Sequence, residues 1–260
     1  MASSSGDSTA TTTGLGPRLE LLGVPVDRCS REQALAICAA ALQAPAEDPP
    51  LQVVTLNPEM VMRARRDPEL ALAVRRARLV LADGMGVVWA ARRVGSPLPE
   101  RIPGVDFLGA LCSLEAVGPD GVFLLGAGPG VAEAAGRQLV DRHPGLRVAG
   151  CASGSPADTE ASALVQQVRE SGARLLAVAF GVPAQEVWLG RHLRPTGCRV
   201  GIGVGGSLDY LAGRVPRAPE WLRRAGLEWS FRLLRQPWRF PRMVRGSAFF
   251  LAVARQERSL

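Results

Sequence analysis

Five short segments hold most of the side chains in this chain that could act on a charged substrate. They are LNPE around Asn57, ADGMG around Asp83, GAGPG at 126–130, GVPAQE at 181–186 and VGGSLD at 204–209. Each joins glycines or other small residues to one or two polar groups. Small residues let a phosphate or a sugar come close to the backbone, and a following helix N-terminus adds free N–H groups and positive potential. A single glycine loop of this kind is often only a tight turn. Five of them together favour a nucleotide cleft, with Gly126, Gly128, Gly181, Gly205 and Gly206 as backbone contacts.

Asp83 is the acid that stands out. Its segment, RLVLADGMGVVWAA, is apolar on both sides, so the carboxylate ends a buried strand and faces the cleft. Partial desolvation raises a carboxyl pKa and suits it to general-base work. The alternative is an N-cap of the next helix, a position Asp favours. Asp106 in GVDF and Asp209 in GGSLDY share that ambiguity, as caps or as ribose and base contacts. Gln185 stands one turn into a helix, where it could bond a sugar hydroxyl; otherwise Gln185 and Glu186 form a solvated first turn, with Glu186 favoured by the helix dipole. Arg101, in PERIPGVD, reads alone as a surface residue or as a phosphate ligand.

These loops need strands before them, and the pattern supplies them. Residues Gln52–Leu56, Arg78–Ala82, Val122–Gly126, Leu146–Gly150, Leu175–Phe180 and Arg199–Val204 are short apolar, β-branched runs. Helical patterns alternate with them. Ser30 and Gln33 make a capping box, Asp67–Pro68 an N-cap and first-turn pair, and Pro183 opens a further helix. Such alternation predicts an α/β fold, a mainly parallel, Rossmann-like sheet with helices on both faces, whose sites lie beyond the strands' carboxyl ends. The pattern stops near Gly213. The expected division is a flexible leader over 1–17, an α/β domain over 18–213, and a helical C-terminal appendage over 214–260.

Charge follows the same division. The chain of 260 residues carries +7, all of its cations being arginine, yet residues 214–260 hold 11 arginines against 3 glutamates. The basic excess therefore belongs to the tail. There Leu222, Ala225, Trp229 and Leu233 form one stripe, and Glu228 stands at i±4 from Arg224 and Arg232. One reading of this tail is a nucleic-acid or anionic-surface binding arm. Another is an interfacial segment, using Trp221, Trp229, Trp238, Phe240, Phe249 and Phe250 beside arginines; a third packs those aromatics on the domain. Five scattered cysteines without a C-x-x-C, and only two histidines, suggest reduced thiols in a cytoplasmic protein and no zinc constellation. The leader lacks the basic start and apolar core of a signal peptide, and no apolar run approaches a membrane span.

Several nucleotide chemistries are disfavoured. GAGPGV places Val131 where a dinucleotide fingerprint needs its last glycine, and LRVAG ends without an acid for a ribose hydroxyl. A phosphate-loop lysine is impossible without lysine, and no D-x-D offers a metal clamp for a sugar nucleotide.

The segments TLNPEMVMRARRDPEL, ADGMGVVWAARRVGSPLPERIPGVD, LLGAGPGVAE, FGVPAQEVW and VGGSLDYLAGRVPRAPEWLRRAGLEWSFRLLRQPWR occur in that order. Together, over roughly residues 18–245, they resemble the WecG/TagA/CpsF family of bacterial glycosyltransferases. The resemblance implies inverting transfer from a UDP-sugar, typically UDP-N-acetylmannosamine, to a polyprenyl-diphosphate-linked sugar, without a metal ion or other cofactor. It implies a peripheral enzyme at the inner membrane face, serving cell-wall or exopolysaccharide synthesis, with no nucleic-acid partner; the oligomeric state is left open. By residue, it implies Asp83 as base, Thr55, Asn57, Arg101 and Gln185 in the polar pocket, and Asp209 on the uridine side. Arg232, Arg239 and Arg242 of the appendage would close over the donor diphosphate. The resemblance says nothing of the Ser/Thr leader or of residues beyond Gly246.

Overall fold

The computed structural model describes residues 14–224, 228–235, 237 and 240–257, and within the last three helices it leaves several side chains undescribed. A short antiparallel hairpin comes first, β1 (Leu19–Leu21) and β2 (Val24–Val26), turning through Leu22 and Gly23, both at positive φ. The sequence pattern misses this hairpin, because three-residue strands, one holding Pro25, are too short to show an alternation. The chain then continues through α1 (Arg31–Gln43), β3 (Leu51–Leu56), α2 (Pro58–Ala64), α3 (Pro68–Arg76), β4 (Leu79–Ala82), α4 (Met85–Arg93) and α5 (Gly104–Cys112). Next come β5 (Val122–Gly126), α6 (Val131–Arg142), β6 (Val148–Ala152), α7 (Asp158–Ser171), β7 (Leu175–Ala179), α8 (Ala184–His192), β8 (Val200–Gly203) and α9 (Ser207–Leu211). Three helices complete it, α10 (Glu220–Arg224), α11 (Glu228–Arg235) and α12 (Phe240–Glu257).

The six later strands form one parallel sheet in the order β4-β3-β8-β7-β5-β6. An α/β fold with helices on both faces is therefore present, and its period-2 logic is plain. Val53, Leu81, Leu124, Ala177 and Ile202 face the layer of α1, α5, α6 and α9. Their neighbours Val54, Val80, Phe123 and Val178 face the other layer, where α2, α3, α4 and α12 cover one half and α7 and α8 the other. Strands buried on both faces read as near-continuous apolar runs, as β4, β5, β7 and β8 do; β3 carries the buried Gln52 and Thr55, each hydrogen-bonded to a backbone carbonyl.

The expected strand starts agree to within two residues. The largest shift is β6, expected from Leu146 and observed from Val148. The Arg147 guanidinium donates to the carbonyls of Pro119 and Asp120 at 3.2 and 3.1 Å, and the Val122 N–H bond to Arg147 O opens the ladder, whose first pair is Val122 with Val148. Two helix starts match their caps. Ser30 and Gln33 form the capping box of α1, and the Asp67 carboxylate accepts from Leu70 N–H at the head of α3. Pro183 stands at the N-cap of α8, without a side-chain capping bond.

α12 packs against α2 and α4, and its Phe249 and Val253 are fully buried in the core beneath that layer. The interfacial reading of Phe249 is thereby corrected, because a ring with no exposed surface cannot meet a membrane. Phe250, on the next face, stacks edge-on against Trp89 at 5.0 Å between centroids.

Candidate active site

The strand order reverses beside β3. The chain runs outward from β3 to β4, crosses to β5, and returns to place β8 between β3 and β7. Because all six strands are parallel, every carboxyl end opens on one edge, and a switch point there makes a crevice. Thr55, Asn57, Asp83, Gly126, Gly128, Gly181, Gln185, Gly205, Gly206 and Asp209 all follow or end strands on that edge.

Asp83 sits just beyond β4. Its N–H donates to Leu56 O at 2.9 Å, fixing the loop on β3. It does not cap the next helix; the N-cap of α4 is Gly84, with no side-chain bond. Instead the Asp83 carboxylate accepts from the N–H of Gly104, the first residue of α5. Loss of water pushes its pKa up to about 6, with the nearby charges of Glu228 and Asp106 adding to the rise and Arg101 and the Gly104 N–H opposing it. Gly104 has a steric reason to be glycine, since a Cβ there would meet Thr55 Cγ2 at 3.1 Å.

Thr55 is buried, and its Oγ1 donates to Gly203 O at 3.1 Å, tying β3 to β8. Asn57 caps α2, its Oδ1 accepting from Met60 N–H at 3.0 Å. Across the crevice, Gln185 is a clasp between two loops. Its Oε1 accepts from Gly181 N–H at 3.1 Å and from Gly205 N–H at 2.9 Å, while Nε2 donates to Glu186 Oε1 at 2.8 Å.

The solvated first turn expected for Gln185 and Glu186 is overturned, as they are only 2% and 0% exposed. Gly203 on the facing strand makes the room, because a Cβ there would lie 2.7 Å from Gln185 Nε2 and 2.8 Å from Glu186 Oε1. Burial pushes the Glu186 carboxyl up to about 8, and its Oε2 has no hydrogen-bond partner.

Arg101 is an inward residue, its side chain 17% exposed and its Nη2 3.5 Å from Glu228 Oε2 at the start of α11. Asp106 receives a two-point pair from Arg217, at 2.5 and 2.7 Å, and does not cap α5, whose N-cap is Pro103. Asp209 lies in the first turn of α9, whose N-cap is Gly206 without a side-chain bond. Arg217 escaped the residue-by-residue reading, and Glu228 was read only as a partner of arginines in the tail, not as a site residue. Their only signal was position, inside the RVPRAPEW and LEWSF segments. The partners expected for Glu228, Arg224 and Arg232, have side chains outside the described residues, and among the described ones its ion pairs run to Arg101 and Arg217. Arg232 belongs to α11 and Arg242 to α12 by backbone alone; Arg239 lies outside the described residues, as does Trp238. Among the described residues no three of His, Cys, Asp and Glu converge as a metal site would require.

Fold and site together define an α/β protein with glycine loops and a desolvated aspartate at a switch-point crevice. The family can be named as well. Residues 19–260 match the model of the glycosyl transferase WecG/TagA/CpsF family, and the chain belongs to that family of glycosyltransferases. The match runs past Gly246 into α12, the helix that completes the core.

Similar proteins agree. The chain is 32% identical over 209 residues, 80% of each chain, to the N-acetylglucosaminyldiphosphoundecaprenol N-acetyl-beta-D-mannosaminyltransferase of Bacillus subtilis (strain 168). It is 34% identical to the protein of that name from Bacillus spizizenii, again over 80% of each chain. A third of that name, from Staphylococcus aureus (strain MW2), is 33% identical over 81% of this chain and 82% of its own.

Proposed function

We propose that the protein transfers a sugar, N-acetylmannosamine above all, with inversion from a UDP-sugar to the terminal sugar of a polyprenyl-diphosphate-linked acceptor. The names of its relatives support the transferred sugar and the acceptor. The observation that carries the chemistry is Asp83, a carboxyl at the crevice mouth with its pKa near 6, facing Arg101 and the N-terminus of α5. That value keeps most of it ionised at neutral pH and still basic enough to take a proton.

In the step we propose, the acceptor hydroxyl gives its proton to Asp83 as its oxygen bonds the anomeric carbon. The bond from that carbon to the diphosphate oxygen breaks on the opposite side, and UDP leaves with the electron pair. The Gly181 and Gly205 amides are taken up by Gln185 Oε1, so the loop amides at Gly126, Gly128 and Gly206 stabilise the departing charge, together with guanidiniums from Arg101 and from Arg232, Arg239 and Arg242 of the appendage. Asp209 meets the uridine side. Thr55 and Gln185 hold the loops in place, and Asn57 fixes the turn beside the base.

Attachment to the cytoplasmic face of the membrane is peripheral in this proposal. No helix among the described residues is long and apolar enough to cross a membrane, while Trp221 and Leu251 are 67% and 66% exposed. Replacing both by serine in the full chain should reduce flotation with anionic liposomes. Undiminished flotation would remove these residues from the contact.

The reaction is tested with purified protein, a panel of UDP-sugars and a short-chain lipid-diphosphate-N-acetylglucosamine acceptor, with and without a chelator. Transfer from the N-acetylmannosamine donor, unaffected by chelator, is expected. Absence of transfer from every UDP-sugar would refute the proposal.

A further inference from the structure

Arg101 and Arg217 reach one point in the crevice from opposite sides. Arg101 comes from the loop before α5, and Arg217 from the segment before α10. Asp106 grips the two terminal nitrogens of Arg217, which fixes the plane of that guanidinium and turns its Nε toward Glu228. The Glu228 carboxylate straddles the two cations, Oε2 at 3.5 Å from Arg101 Nη2 and Oε1 at 3.6 Å from Arg217 Nε. Both distances suit ion pairing and exceed good hydrogen bonds. Arg217 Nε is accordingly a buried donor without a hydrogen-bond partner. A third guanidinium adjoins the crevice, since Arg214 Nη2 lies 3.8 Å from the position a Cβ would take on Gly130, in the GAGPG loop.

A pair of guanidiniums, one fixed by Asp106 and both met by Glu228 only at ion-pair distance, is an anion seat with a poor occupant. A diphosphate has more oxygens, spread wider, and can hydrogen-bond both cations at once. We infer that Arg101 and Arg217 seat the diphosphate of a nucleoside diphosphate, and that Glu228 is the seat's internal occupant, which the diphosphate replaces. Glu228 thus competes with the donor and keeps the two cations paired while the crevice is empty. The inference rests on the proposed use of a nucleotide-activated donor.

The test is calorimetric titration of the full-length protein with UDP and, separately, with inorganic pyrophosphate. Glu228→Gln should bind both about 5- to 10-fold more tightly than wild type, within the usual range of coupling between competing contacts. Adding Arg217→Gln should abolish the gain. Equal or weaker binding by Glu228→Gln would overturn the inference. If Glu228→Gln melts below the assay temperature, Glu228→Asp, which draws the carboxylate back by one methylene, should tighten binding in the same direction; unchanged or weaker binding would likewise overturn it.

The pH dependence gives a second readout, of the Glu228 charge beside Asp83. The groups facing Asp83 are Arg101, Asp106, Glu228 and the Gly104 N–H. Removing the Glu228 charge should move the acid limb of kcat/KM below its place near pH 6, and an unmoved limb counts against the seat. The two proposals fail differently. Sugar transfer with no tightening in Glu228→Gln overturns the seat and keeps the reaction. Tighter pyrophosphate binding in a protein that transfers nothing keeps the seat and overturns the reaction.

Discussion

Asp83 and Glu186 are both carboxyls taken out of water at the carboxyl edge of one sheet, and they reach opposite states at neutral pH. Asp83, beyond β4, has Arg101 and an amide to offset the lost hydration, and its pKa stops near 6. Glu186, in the first turn of α8, has only the Gln185 amide and its own backbone to offset burial, and its pKa rises to about 8. One is therefore mostly a carboxylate and the other mostly a neutral acid. Desolvation does not by itself make a catalytic group; the neighbouring cation and the opening to the crevice separate the proposed base from the buried acid.

The largest effect that could break this contrast lies at Asp83. Asp83→Asn should lower transfer by about 10²–10⁴-fold with the fold intact, as loss of a general base does. Glu186→Gln should leave turnover close to wild type. If the two variants lost turnover equally, the distinction would collapse. Arg101→Ala comes next. Loss of a charge-assisted contact of about 1.5–3 kcal/mol predicts a fall in kcat/KM of roughly 10- to 150-fold, read as initial rates over a range of donor concentration.

A smaller test is the pH profile of the wild type. The base must be ionised, so kcat/KM should be flat above about pH 7 and fall about tenfold per unit well below the pKa near 6. A profile flat down to pH 5 would remove Asp83 from the role.

The smallest effect concerns stability at Glu186. Its folded pKa lies above its ordinary value of 4.5, so the folded state holds the extra proton and stability declines as pH rises from about 4.5 through 8. Glu186→Gln removes that decline. Its melting temperature should exceed wild type at pH 8.5 and match it near pH 5, by about 2–4 °C for each kcal/mol of ionisation cost removed. Melting curves that run parallel across this range would show that Glu186 keeps its proton or loses it without consequence.

Much of the frame was legible in the chain. Both-face burial forces continuous apolar strands, so the six strands and the loops after them stood out, with Asn57, Asp83, Gln185 and the glycines at their ends. Caps such as Ser30 with Gln33 and Asp67 are local bonds over three residues, and local sequence encodes them. The neighbour that frees room was legible only afterwards. Gly203 reads as one more small residue in a strand, and nothing near Glu186 in the sequence shows that the strand opposite lacks a Cβ.

What the sequence determined by itself was the period of the six parallel strands, the family, and the edge on which the loops gather. Tertiary structure alone decided which charges meet there. Asp106 and Arg217 are 111 residues apart in the chain yet share two hydrogen bonds, and Glu228 meets Arg101 and Arg217 from distant segments. It also decided that Phe249 and Val253, near the end of a basic tail, close the core over α2 and α4. The reason is one of range. Helix and strand patterns arise from contacts within a few residues, while burial, desolvation and ion pairing depend on which distant segments the sheet order brings together.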